Sequence, residues 1–185
     1  ITELNAQNII ISVGHSDATY AETELAIEAG VSHVTHLFNA MTAIHQREPG
    51  NSIALLLDSR VSAEVIADGV HLHPAMLRLA YKVKTADKLI LITDSMRAKG
   101  LTDGNYDLGG QQVHVSNNEA RLVDGTLAGS VLTMDRSVRN MMHYTRCSIA
   151  DIIKMSAENP AKELGVFERK GSISVGKDAD LTVFD

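Results

Sequence analysis

The stretch IIISVGHSDATY, residues 9–20, decides how this chain folds. Residues 9–14 are mostly β-branched, which suits a pleated strand. Thr19 and Glu22 then give a Thr-x-x-Glu capping box that opens a helix, and Gly30 can close it in a left-handed cap. The run HVTHLF, residues 33–38, follows at once and leaves too little chain for a hairpin. The second strand is therefore expected to lie parallel to the first, across the helix. His15 stands where the first strand must turn, a polar side chain at the end of an otherwise dry segment.

The same rhythm continues. SAEVIADG, residues 62–69, reads as a third strand. HPAMLRLAYKVK, residues 73–84, reads as a helix with Pro74 in its first turn, His73 as its cap, and Leu77, Ala80, Tyr81 and Lys84 at helical spacing. KLILITD, residues 88–94, gives a fourth strand ending on Asp94. Strands alternating with helices predict an α/β fold with a parallel sheet covered by helices. After Gly100, short strand-like pieces alternate with turn signals, as a hairpin excursion would. Helical segments follow near residues 131–143, 149–156 and 160–164, the last with Asn159 as its expected N-cap. GSISVGKDADLTVFD, residues 171–185, reads as two short strands about a Gly-Lys-Asp turn.

A chain of 185 residues is long enough for one domain with a real core. Its formal charge of -6, with Lys and Arg scattered, argues against nucleic acid as a partner. No apolar run approaches the roughly 20 residues of a membrane span. Cys147 is the single cysteine, which fits a reducing compartment, and a start at Ile1 fits an N-terminus internal to a longer chain.

Aligned by their C-terminal ends, the expected strands finish on His15, His36, the turn at residues 68–71, and Asp94. In parallel α/β sheets and barrels that rim faces the ligand cavity. Adjacent strands lie about 4.8 Å apart, so the His15 and His36 imidazoles can share a metal at about 2.0 to 2.1 Å. His33 and His36 are three positions apart and would face opposite ways on a strand, so only one of them joins His15. Two histidines leave a divalent ion open to water, whose pKa it lowers towards neutrality. Asp94 suits the proton transfers that hydrolysis then needs. A tetrahedral site still lacks a third protein ligand. His33, His114 and His143 read as structural or surface residues. Arg47, in the loop HQREPGN (residues 45–51), has the fork geometry to grip a phosphate, although an exposed arginine is also often only solvated. GTLAGS, residues 125–130, reads equally as a backbone approach to a ligand or as a flexible turn. No phosphate-binding Walker loop, dinucleotide fingerprint or serine-nucleophile elbow is present.

Taken together, GHSDATY, THLFNAM, REPG, DGVHLHP, LITDSMRAKGL, DGTLAGS, ENPAKELG and GSISVGKDADLTVFD resemble the N-acetylglucosamine-6-phosphate deacetylase family of the amidohydrolase superfamily. The resemblance covers nearly the whole chain. It implies hydrolysis of the acetamide of N-acetylglucosamine 6-phosphate to glucosamine 6-phosphate and acetate, in the cytoplasm. It also implies His15 and His36 as ligands of a divalent metal, zinc or iron, and Asp94 as the catalytic carboxylate. Asn39 and Ala40 match positions at the phosphate end of the substrate, and His71 another substrate contact. Leu127, Ala128 and Gly129 match a turn beside the sugar. Arg47 matches an arginine that reaches the phosphate of the neighbouring subunit in a homodimer. The family's metal-binding glutamate and a further substrate-binding histidine precede the first metal histidine, and no segment here matches them.

The implied fold is a partial (β/α)8 barrel comprising about the last four βα units, residues 1–165. A hairpin insertion follows its last strand, and residues 166–185 belong to a small β-domain. Four strands of a barrel leave two open edges. Two other readings stay open: a catalytically inactive sugar-phosphate-binding fragment, and an amidohydrolase acting on a cyclic amide or an unphosphorylated acetamido sugar.

Overall fold

The computed structural model describes residues 1–183. A short helix α1 (Thr2–Asn5) precedes β1 (Ile11–Val13), α2 (Tyr20–Glu28), β2 (Val31–Val34), α3 (Gly50–Leu57), β3 (Ser62–Ile66), α4 (Pro74–Lys88) and β4 (Leu89–Ile92). The four strands form one parallel sheet in the order β1-β2-β3-β4. Sequence neighbours are thus spatial neighbours throughout, without the reversal of strand order that marks a doubly wound sheet.

Local chemistry accounts for most boundaries. Thr19 Oγ1 accepts from the Glu22 main chain while Glu22 Oε2 accepts from the Thr19 N–H at 2.8 Å, the capping box expected at α2. At α4 the cap is His73, whose Nδ1 accepts from the Ala75 N–H at 3.1 Å, with Pro74 next. Helix α4 is interrupted at Thr85 (φ 56°), where Lys84 turns inward and donates to the carbonyls of Asp58 and Val61. Helices α3 and α4 bury Leu55, Leu56 and Leu77 against Val34, Ala63, Val65 and Leu91 of the sheet. Truncating any of these leucines to alanine would cost about 2–5 kcal/mol.

A three-stranded antiparallel sheet follows, β5 (Gly104–Leu108), β6 (Gln111–Ser116) and β7 (Glu119–Leu122), the hairpin excursion expected after β4. It has its own small core of Val113, Val115 and Ala120 with Met96, Ala98 and Val131. Helices α5 (Met134–Thr145) and α6 (Ile149–Ile153), a π-helical turn (Lys154–Glu158) and α7 (Asn159–Glu163) then return to the parallel sheet.

Two expectations need correction. Asn159 does not cap a new helix: the chain stays helical from α6 into α7, and the Asn159 amide instead donates to the carbonyls of Ala86 (2.7 Å) and Leu89 (2.8 Å). Residues 171–183 form the Gly-Lys-Asp turn but no strand; Ile173, Val175 and Val183 are exposed at 88%, 109% and 92%. Their alternation is strand-like, yet a strand forms only against a partner, and none lies beside them among the described residues. Phe184 and Asp185 of the expected last strand lie outside those residues.

Candidate active site

The C-terminal ends of the four parallel strands share a backbone feature that no pattern of hydrophobicity encodes. His15 (φ 47°), His36 (φ 35°) and Asp94 (φ 47°) each lie two residues beyond their strand in the left-handed region, and Gly69 (φ 81°) follows β3. For an L-residue other than glycine that conformation costs roughly 1–2 kcal/mol. Such strain persists only where the surroundings over-determine it, and it clusters at functional sites.

The turns bring two of the histidines together. The His15 and His36 rings are 4.8 Å apart between centroids and meet edge to face at 68°. His36 is buried, 7% exposed, and its Nδ1 has no hydrogen-bond partner within the protein, whereas His15 is open to solvent. An unpartnered buried imidazole nitrogen costs about 1–3 kcal/mol, which a bound cation or a polar ligand atom would recover. The pair thus fits two ligands of a metal ion. Among the described residues no group of three His, Cys, Asp or Glu side chains is gathered so as to hold one.

Asp94 sits on the same rim with its side chain exposed. Its carbonyl accepts the Ser130 N–H at 2.8 Å, and the Ser130 carbonyl accepts from Met96 at 2.9 Å. Gly129 (φ 63°) passes so close that a Cβ there would lie 3.3 Å from the Asp94 carbonyl oxygen. GTLAGS is therefore packed rather than loose: Leu127 and Ala128 pair with Arg121 and Ala120 of β7, and Gly129 and Ser130 run along the β4 exit beside Asp94. The Asp94 carboxylate makes no hydrogen bond to His15 or His36 among the described residues.

In the turn after β3, Asp68 accepts the N–H groups of Val70 and His71, both at 2.8 Å, and pairs with His71 Nδ1 at 2.6 Å. Burial pushes the Asp68 carboxyl up, but the His71 ring and these N–H groups outweigh it and hold the acid below its ordinary value. An ionised Asp68 has only acceptors, so His71 Nδ1 carries the proton and Nε2 is the atom left to face a ligand. Asn39 donates its amide to the carbonyls of His36 (3.1 Å) and Leu37 (3.4 Å), locking the turn that continues through Ala40 (φ 50°). Arg47 is exposed in the loop between β2 and α3 and makes no ion pair among the described residues.

One group escaped the sequence reading. His33 is buried between Glu64 and Glu163, with a 3.0 Å contact from each ring nitrogen to one of them. Burial pulls its pKa down, but the two carboxylates more than reverse this and raise it to about 9. A glutamate in the middle of the dry run SAEVIADG was the available signal.

The sequence pattern of the Amidohydrolase family matches residues 5–185. The chain belongs to the amidohydrolase family. Among amidohydrolases of known name, it is 52% identical over 183 residues to N-acetylglucosamine-6-phosphate deacetylase of Bacillus subtilis (strain 168), covering 99% of this chain and 46% of that protein. It is 41% identical to N-acetylgalactosamine-6-phosphate deacetylase of Escherichia coli O157:H7, covering all of this chain and 49% of the relative. The fold superposes on the N-acetylglucosamine-6-phosphate deacetylase of Thermotoga maritima with a TM-score of 0.90 at 42% identity, over 96% of this chain and 49% of the other. A mutant of the Mycobacterium smegmatis enzyme, in complex with N-acetyl-D-glucosamine-6-phosphate, gives 0.91 at 37% identity, over 96% and 48%. The chain spans about half the length of these relatives.

Proposed function

We propose that this chain carries the metal-binding and proton-transferring part of an N-acetylglucosamine-6-phosphate deacetylase, which hydrolyses the substrate acetamide to glucosamine 6-phosphate and acetate. The observation that carries the reading is the His15–His36 pair at two successive strand ends, 4.8 Å apart, with an unpartnered nitrogen on the buried ring. The 52% identity to the Bacillus subtilis deacetylase supports the choice of reaction.

In this reading His15 and His36 hold a divalent ion, zinc or iron, together with a ligand from outside the described residues. The ion supplies Lewis acidity, polarising the amide carbonyl and acidifying water. Asp94 takes the proton of the attacking water and returns it to the departing amine nitrogen, so the same carboxylate serves as base and then as acid. His71, its tautomer fixed by Asp68, presents Nε2 to the sugar. Leu127, Ala128 and Gly129 line the sugar beside Asp94, and the turn at Asn39 and Ala40 faces the phosphate. Arg47, exposed on its loop, grips the phosphate of the neighbouring active site in a homodimer.

The sequential strand order supports a (β/α)8 barrel of which residues 1–165 are the C-terminal half. Residues 166–185 then belong to a small β-domain completed by other chain, and the enzyme works in the cytoplasm on an amino-sugar phosphate. The rival reading, a catalytically inactive sugar-phosphate-binding fragment, draws on the absence of a third metal ligand among the described residues. Acetate release from N-acetylglucosamine 6-phosphate decides between them. Zinc-loaded protein completed by the part that supplies the remaining ligand should turn over, and Asp94→Asn should lower that turnover by about 10²–10⁴-fold. No acetate from protein shown to bind the metal would favour the inactive reading.

A further inference from the structure

Below His36 lies a column of three titratable side chains that the hydrolytic reading leaves unused. Glu163, on α7, meets His33 Nδ1 through one oxygen (3.0 Å) and accepts from Ser62 Oγ through the other (3.0 Å). His33 Nε2 meets Glu64 Oε1 at 3.0 Å. The remaining oxygen, Glu64 Oε2, accepts the main-chain N–H of His36 at 3.3 Å. Every side-chain nitrogen and oxygen of the column thus has a partner, the condition under which a buried polar network fixes one arrangement.

The place where the column ends gives it a use. His36 is held in an unfavourable left-handed turn (φ 35°), and its peptide groups are clamped on both sides. Its carbonyl accepts from the Asn39 N–H at 3.0 Å and from the Asn39 amide at 3.1 Å. Its own N–H is held by Glu64. We propose that Glu64, locked by His33 and through it by Glu163, is a positioning residue for the metal ligand His36, fixing the turn that sets its imidazole against that of His15. The inference rests on the metal reading. It is strengthened by the charge on His33, which as an imidazolium donates to both carboxylates and keeps Glu64 from rotating away.

Two readouts independent of turnover test it. In the first, zinc chloride is titrated into purified wild type, Glu64→Leu, Glu64→Gln and His15→Ala. Leucine keeps the volume but removes the acceptor, and glutamine keeps one oxygen for the His36 N–H. The zinc dissociation constant should rise about tenfold or more in Glu64→Leu and stay within about threefold in Glu64→Gln. In the second, hydrogen exchange at the His36 amide should be slow in wild type and Glu64→Gln and fast in Glu64→Leu. Equal zinc affinity in wild type and Glu64→Leu overturns the inference alone. A wild type whose zinc binding matches that of His15→Ala overturns the metal reading and the inference with it. Should Glu64→Leu not fold, the wild type still decides, because a His36 amide exchanging as fast as exposed loop amides has no carboxylate holding it.

Discussion

Replacing His33 by asparagine should flatten the dependence of stability on pH in the neutral to alkaline range. In the folded chain the two carboxylates hold the His33 proton up to about pH 9, whereas the unfolded chain releases it near the ordinary 6.5. Between these values the folded state binds more protons than the unfolded state, so stability falls as pH rises. The contribution is fully present below about pH 6.5 and lost through about pH 9, where His33 deprotonates between Glu64 and Glu163. Since one pKa unit corresponds to about 1.4 kcal/mol, the interval from 6.5 to 9 amounts to roughly 3 kcal/mol. The side chain is only 8% exposed, so little of this is screened by solvent. Lys84 works against it: burial lowers its pKa to about 8 from 10.5, so its contribution rises with pH over that interval. The difference between wild type and His33→Asn removes Lys84 and every other common group. Urea unfolding at several values between about pH 6 and pH 9.5 should show the wild-type advantage shrinking by about 3 kcal/mol. Parallel stability curves for the two proteins would refute a charged His33 between the glutamates.

Three further outcomes follow from the same geometry. Gly69→Ala places a Cβ 2.7 Å from the Tyr144 hydroxyl at φ 81°, and should destabilise the fold by about 1–3 kcal/mol in chemical denaturation. Asp68→Asn replaces an acceptor-only carboxylate beside His71 and releases the ring tautomer; turnover should fall about tenfold or more while zinc affinity is unchanged. Arg47→Ala should raise the KM for the phosphorylated sugar by about tenfold or more and leave an unphosphorylated acetamido sugar unaffected, since a charged contact to phosphate is worth about 1.5–3 kcal/mol.

Much of this architecture was legible in the residues. β-branched runs ending on His15, Asp94 and the turn at residues 68–71 located β1, β3 and β4, and the Thr19–Glu22 box and His73–Pro74 placed two helix starts. Helix α3 was not foreseen, because Pro49 and Gly50 read as loop and the solid apolar run behind them has no helical period. The strand-like alternation of residues 171–183 misled because side-chain pattern says nothing about whether a neighbouring strand is present. Of the candidate site, the residue types and their rim placement could be read. The left-handed turns could not, since backbone dihedrals outside glycine leave no mark on composition. Nor could the column beneath His36, whose members His33 and Glu163 are separated by 130 positions and meet only through tertiary packing.

The most direct test is anomalous diffraction at the zinc edge from crystals of zinc-loaded protein. A single peak about 2.0–2.1 Å from a nitrogen of both His15 and His36 is the expected result. Zinc absent from that pair, with His36 Nδ1 hydrogen-bonded to a protein group and the two rings turned apart, would contradict it.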